Sequence, residues 1–304
     1  MKHLKLTFGL ISWVVFLLSL TTSASAQTSI QRPTDNRTEL TMPVSIPEPT
    51  SEAAAAYENF QNGNLTRAVQ QWTQAIRAED DIVRSLFNRS QAFIMLGQYE
   101  FALRDIDQII DIEGPATGAD VFLIQGIVLG NLGQLPEALA SFEQSESKQP
   151  SALIYSNRAL IHQRAGNLQL ALSDLERAIA LSPTPINYLN LANLHIQLEN
   201  FDTAIEQMNQ LLATDGTFFP AYLARGIAYH HAAEHQLALQ DFLSTLTAAP
   251  NQPEARYYAG LSLAALDMRE EASQSLLAAA DIYLQQNNGD SYYQVLDMMS
   301  QLGL

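Results

Sequence analysis

Three histidines crowd one short stretch of this 304-residue chain, and two of them frame His231-Ala232-Ala233-Glu234-His235. That H-x-x-E-H order can serve zinc-dependent hydrolysis, with both imidazoles on the metal and the glutamate as base. The chemistry requires both histidines on one continuous helical turn. The repeat pattern set out below instead places a turn inside the segment. Zinc metallopeptidase activity is therefore the remote alternative, and no metal is assigned to His230, His231 or His235. Asp105 with Asp107, and Glu270 with Glu271, could be taken for catalytic carboxylate pairs, but on helices of an acidic protein they read as solvated faces. No G-x-S-x-G, phosphate loop or dinucleotide fingerprint is present. The absence of cysteine excludes disulfides, thiolate nucleophiles and thiolate zinc sites. No catalytic residue and no cofactor are assigned.

Another kind of chemistry is binding. Asn88, Asn157 and Asn190 stand at equivalent points of a recurring block. An asparagine amide both donates and accepts, so it can hold a peptide backbone without reading its sequence. Tyr57, Phe87, Tyr257 and Tyr258 could add aromatic surface. Arg89, Arg158 and Arg225 each follow the asparagine position by one residue and read as structural cations paired with neighbouring acids.

Something must position these groups, and a repeat does so. A turn residue, an apolar residue and an alanine recur as Gly63-Asn64-Leu65-Thr66-Arg67-Ala68, Gly97-Gln98-Tyr99-Glu100-Phe101-Ala102, Gly133-Gln134-Leu135-Pro136-Glu137-Ala138 and Gly166-Asn167-Leu168-Gln169-Leu170-Ala171. Glu199-Asn200-Phe201-Asp202-Thr203-Ala204 is the same block without glycine, and looser copies end in Ala238 and Ala272. The anchoring alanines are separated by 34, 36, 33, 33, 34 and 34 residues. Twelve residues before each stands a small residue (Ala56, Ser90, Gly126, Ala159, Ala192, Gly226, Gly260). Four after each stands a bulky one (Trp72, Ile106, Phe142, Leu175, Met208, Phe242, Leu276). The spacing predicts two amphipathic helices per unit, with small residues letting the axes approach and the bulky residue filling the gap toward the next unit. Pro150, Pro183 and Pro250 end second helices, and Pro220 and Pro253 open first helices.

These blocks resemble the tetratricopeptide repeat (TPR) family, whose unit is a 34-residue helix–turn–helix. Seven copies in step cover about residues 51–285. The resemblance implies an all-α, right-handed superhelical solenoid of helix–turn–helix (TPR) pairs, whose first helices line a concave face that takes a peptide or a partner protein. The copies depart from the family where the aromatic near the start of the first helix is replaced, at Glu52, Leu86 and Arg256. The broken asparagine series resembles the ladder of some groove-binding members. With Lys148 the only lysine beyond residue 5, and Arg84 without basic company, the groove does not match a clamp for carboxylate termini.

Residues 1–26 read as a secretory signal. Lys2 and Lys5 precede an apolar run over 6–20, and Ala24-Ser25-Ala26 supplies a cleavage site. An uncleaved membrane anchor is the rival reading. Export by the general secretory route to a periplasm, cell envelope or medium is the expectation. Residues 27–50 hold Pro33, Pro43, Pro47 and Pro49 and read as a flexible spacer. Residues 286–304 read as a C-terminal capping helix started by Asp290 or Ser291 after Asn287-Asn288-Gly289, burying Tyr292, Val295, Leu296, Met299 and Leu302. The net charge of −16 disfavours nucleic acid and anionic lipid as partners. The expected function is a non-catalytic protein–protein interaction scaffold. A self-assembling, homo-oligomeric envelope protein is the alternative, and exposed groove residues Leu123, Ile127, Leu189 and Ile196 would suit either.

Overall fold

A helix can end and reverse into its hairpin partner within two or three residues when one of them adopts a left-handed conformation. Seven residues of this chain meet that need at one repeat position, five before the anchoring alanine. They are Gly63, Gly97, Gly133, Gly166, Glu199, Ala233 and Asp267, with φ between 60° and 78°. At each, the next amide donates back to a carbonyl five residues earlier, from Asn64 N to Asn59 O at 2.8 Å through Met268 N to Leu263 O at 3.0 Å. This satisfies carbonyls that the ending helix would otherwise leave open.

The computed structural model describes residues 51–304. The signal segment 1–26 and the spacer 27–50 lie outside the described residues. Among the described residues there are fifteen α-helices and no strand, and they fall into two compact units divided after Pro183. Residues 51–183 hold four hairpins: α1 (Ser51–Gln61) with α2 (Leu65–Arg77), α3 (Ile82–Met95) with α4 (Tyr99–Glu113), α5 (Ala119–Asn131) with α6 (Leu135–Lys148), and α7 (Ala152–Arg164) with α8 (Leu168–Leu181). Residues 184–304 hold three: α9 (Pro185–Gln197) with α10 (Phe201–Thr214), α11 (Phe219–His231) with α12 (His235–Ala248), and α13 (Pro253–Ala265) with α14 (Arg269–Gln285). They are followed by α15 (Gly289–Leu302). The architecture is a solenoid of stacked helical hairpins.

The anchoring alanines are all fully buried, and so are the bulky residues four places on. These bulky residues pack differently from the expectation. Phe142 Cε1 stands 2.8 Å from where a Cβ on Gly126 would lie, Phe242 Cε1 2.7 Å from that of Gly226, and Leu276 Cγ 2.6 Å from that of Gly260. Each first presses on the small residue of its own hairpin. Only then does it reach the next, as Phe142 meets Ile154 and Ile161, and Phe242 meets Ala255 and Ala259. Glycine is thus required at three first helices by the size of a side chain sixteen residues away.

The 36-residue spacing is taken up locally. Gly114–Ala116 forms a 3₁₀ turn after α4. Thr117 Oγ1 donates to Gly114 O at 2.8 Å, Lys148 Nζ to Pro115 O at 2.9 Å and Ser145 Oγ to Ala119 O at 2.8 Å. The lone lysine of the repeat region thereby has a structural partner. Asn288, rather than Asp290 or Ser291, caps α15, its side chain accepting from Ser291 N at 3.2 Å. Val295 and Met299 bury against Leu276, Ala280 and Tyr283, with Tyr292, Leu296 and Leu302 alongside. Arg269 Nη2 donates to the carbonyls of Leu302 and Gly303 at 3.1 and 2.7 Å, where α15 ends. No helix among the described residues is long and apolar enough to cross a membrane.

Candidate functional site

The polar residues of the first helices divide into a seam between helices and a set that reaches solvent. The seam is built from the three arginines. Arg89 binds Asp105 with both oxygens at 2.8 and 2.6 Å, Arg158 binds Asp174 at 2.8 and 2.8 Å, and Arg225 binds Asp241 at 2.8 and 2.7 Å. Each pair links the two helices of one hairpin across sixteen residues. The remaining guanidinium nitrogen of each turns to the preceding hairpin. Arg89 donates to Thr73 Oγ1 at 2.8 Å, Arg225 to Asn209 Oδ1 at 2.6 Å, and Arg158 to the Glu146 carboxylate. The third hairpin replaces the ion pair with the neutral pair Gln125 and Ser141, Ser141 Oγ donating to Gln125 Oε1 at 2.9 Å, while Gln125 Nε2 donates to the Asp107 carboxylate of the preceding hairpin at 3.0 Å.

Bidentate pairing and a third acceptor are what a buried guanidinium needs to offset its lost hydration. Asp174 and Glu146 hold the Arg158 guanidinium above its ordinary pKa despite its burial. Burial pushes the Asp105 carboxyl up, and Arg89 pulls it back only in part. The expectation that Asp105 is solvated is therefore corrected: it is buried, while its neighbour Asp107 is exposed. Glu270 and Glu271 are exposed as expected.

The second set contains the candidate binding residues except Asn88, which the fold encloses. Asn88 on α3 is buried at 4% exposure. Asn157 on α7 is half-buried, its Nδ2 donating to Leu153 O at 2.8 Å one turn back, and Asn190 on α9 is half-buried. Asn88 and Asn157 belong to the first unit and Asn190 to the second. Tyr57 and Phe87 are half-buried on α1 and α3, and Phe87 leans on the core around Leu86 and Ile124. Leu189 and Ile196 are half-buried, whereas Leu123 and Ile127 are buried beside Phe142 and do not form exposed groove surface.

The densest array of such groups lies in the second unit, where sequence reasoning singled out its members separately. Tyr258 on α13 is the hub. Its ring lies 5.3 Å from Tyr257, 5.7 Å from His230, 5.9 Å from His231 and 6.2 Å from Phe242. His230 shares a 2.9 Å bond with Ser262 Oγ, and His231 stacks on Phe201 at 5.4 Å. Burial, with the fields of His231 and His235, lowers His230 to a pKa of about 4. The H-x-x-E-H segment breaks as its repeat position implies. His231 is the last residue of α11, Ala233 is left-handed, and His235 opens α12. Among the described residues no group of three or more His, Asp or Glu side chains is arranged to hold a metal ion. The histidines serve instead as the aromatic wall of this array.

Stacked hairpins carrying these alternating small and bulky positions define a class of repeat protein, and comparison with known proteins identifies it. Tetratricopeptide repeat models match residues 52–116 and 189–253, and a second such model matches 152–185. Together these span more than half of the chain, which therefore belongs to the tetratricopeptide repeat family. Human tetratricopeptide repeat protein 13 is 26% identical over 116 residues, which is 36% of this chain and 13% of that protein. The chain thus spans only a small part of that relative's length. Among solved structures, the APC/C hetero-tetramer Cut9-Hcn1 aligns with TM-score 0.60 and 17% identity over 69% of this chain and 42% of that one. A tetratricopeptide repeat protein of Parabacteroides merdae aligns with TM-score 0.58 and 17% identity over 73% of this chain and 94% of its own. The C-terminal part of a TPR protein of Cytophaga hutchinsonii gives 0.56 and 17% over 76% and 95%. These likenesses establish the fold.

Proposed function

We propose that this chain is an exported, non-catalytic scaffold that holds a peptide or a partner protein on the surface of its first helices. The observation that carries the reading is the half-buried set on those helices. Tyr57, Phe87, Asn157, Asn190, Tyr257 and Tyr258 combine apolar area with hydrogen-bonding groups that the fold does not fully use. Rigid aromatic side chains give contact area at little entropic cost, and amides give backbone contacts. Membership of the family supports a protein-interaction scaffold. The similar fold of Cut9-Hcn1, a hetero-tetramer, fits a role in assemblies. The secretory reading of residues 1–26 supports a place in a periplasm, an envelope or the medium. The strongly acidic body fits a basic protein partner better than nucleic acid.

The test is cross-linked capture in the native compartment with the chain as bait. Two variants run in parallel, Asn157→Ala with Asn190→Ala, and Tyr57→Ala with Tyr258→Ala. Leu243→Asp, on the exposed side of α12, is the control. A protein lost from both first-helix variants and kept by the control supports the reading. A protein lost only from the control moves binding to the second helices, and recovery of the bait alone favours self-assembly.

A further inference from the structure

Asparagine precedes glycine at two places in this chain, Asn62-Gly63 and Asn288-Gly289, and elsewhere a residue with a side chain follows it. The pairing matters chemically because glycine leaves its amide nitrogen unshielded toward the side-chain carbon of the residue before it. Ring closure needs that nitrogen and that carbon in contact, so whatever fixes the asparagine side chain elsewhere prevents it. Asn62-Gly63 lies between α1 and α2, and Asn288-Gly289 spans the start of α15. The two glycines offer equal access, since no atom lies within 4 Å of a Cβ at either. What differs is the asparagine.

Asn288 is committed to the fold. Its Oδ1 accepts from Ser291 N at 3.2 Å as the cap of α15. The residue is half-buried and its Nδ2 is enclosed, so water does not reach the nitrogen that would have to leave. Asn62 is uncommitted. It is exposed in the turn after α1, and no side-chain hydrogen bond holds it among the described residues. Its neighbours bond elsewhere, Asn64 Nδ2 reaching Asn59 Oδ1 at 3.4 Å and Asn59 Nδ2 reaching Gln71 Oε1 at 3.0 Å. The restraint left at this site is the turn bond from Gly63 N to Phe60 O at 3.0 Å. It closes the exposed end of a helix, where such bonds open most readily.

We infer that Asn62 is a self-modifying site, converting without a catalyst to aspartate and isoaspartate while Asn288 stays intact. The Gly63 nitrogen bonds to the Asn62 side-chain carbon, the Cγ–Nδ2 bond breaks, and ammonia leaves with the proton that the Gly63 nitrogen gives up. Water then opens the succinimide ring. Opening at the side-chain carbonyl leaves aspartate, and opening at the main-chain carbonyl leaves isoaspartate, with an extra methylene in the backbone. Either product adds a negative charge. Only Asn62, Gly63 and Asn64 join α1 to α2. A longer backbone there displaces α1 from the close contact in which Ala56 and Ala68 are fully buried. Tyr57 rides on α1, so the amino-terminal hairpin alters with the age of the molecule. The chemistry is independent of what the first helices bind.

The purified full chain is held at mildly alkaline pH and sampled over weeks, with peptide mass spectrometry separating asparagine, aspartate and isoaspartate at both sites. Asn62 is expected to convert at least about fivefold faster than Asn288, the factor set by releasing a capping side chain. In guanidinium chloride, where the cap is gone, the two rates should converge. In the folded chain, hydrogen exchange in α1 should quicken as isoaspartate accumulates, and Asn62→Gln should remove both the new acid and that change. Equal conversion at the two sites of the folded chain overturns the inference, as does faster conversion at Asn288 or none at Asn62. A ratio that persists in denaturant also overturns it, because local sequence and not the cap then sets the rates.

Discussion

The two units build the same hairpin turn from different residues. In residues 51–183 the left-handed position is glycine every time, at Gly63, Gly97, Gly133 and Gly166. In residues 184–304 it is never glycine, but Glu199, Ala233 and Asp267, and Asn287 adopts the same conformation ahead of α15. The φ values and the closing hydrogen bonds scarcely differ, so the side chain adds only backbone strain, about 1 kcal/mol or more at each site. Charge placement differs as well. The first unit pairs buried acids with Arg89 and Arg158, whereas the second holds one such pair, Arg225–Asp241, and crowds His230, His231 and His235 together. Left-handed side chains inside the hairpin turns thus coincide with the aromatic array in the second unit, whereas the first unit keeps its left-handed non-glycine residues, Glu79 and Asp81, between hairpins.

The largest effect expected from this contrast lies in the first unit. Arg158→Met leaves Asp174 and Glu146 without their shared cation and should cost about 3–5 kcal/mol in urea unfolding. Adding Asp174→Leu should restore most of it, because two matched apolar groups replace a buried pair. A smaller effect should have opposite signs in the two units. Ala233→Gly should raise stability by about 1 kcal/mol, and Gly166→Ala should lower it by a similar amount. No atom lies within 4 Å of a Cβ at Gly166, so the loss there would be purely conformational. Equal signs at the two sites would remove strain as the distinction between the units.

A third effect is on pH dependence. The ordinary histidine value is 6.5, and His230 is lowered to about 4 when folded. The unfolded chain therefore binds a proton that the folded chain refuses, and stability falls as pH drops from 6.5 toward 4. The thermal midpoint of His230→Gln should vary less over that interval. An unchanged slope would assign the acid sensitivity to other groups.

Much of this was readable from residue spacing. The anchoring alanines and the bulky residues four places on specified hairpins, turns and buried positions, because helical periodicity and close packing leave few other uses for them. Arg89, Arg158 and Arg225 were also legible as structural cations. Their acids were not, since Asp105 looks like any other acid on an acidic helix until a hairpin brings position 89 against position 105. Leu123 and Ile127 were misjudged for a related reason. In α5 nearly every residue is apolar, so the sequence offers no contrast between an exposed stripe and a buried one. Asn288 as the cap of α15 lost to Asp290 and Ser291 because its own neighbour Gly289 reads as a break rather than as the first helical residue.

The alternation of the arginine seam has a consequence for building with this chain. Arg89, Arg158 and Arg225 recur 69 and 67 residues apart, on every second hairpin, and each also grips the hairpin before it. The interchangeable part is therefore a cassette of two hairpins, one supplying the arginine and its aspartate, the other the acceptor. An array lengthened by one hairpin would set two hairpins of the same kind side by side. Lengthening by two keeps every joint of the natural kind, which makes the double hairpin the unit in which such a scaffold should be cut, swapped or extended.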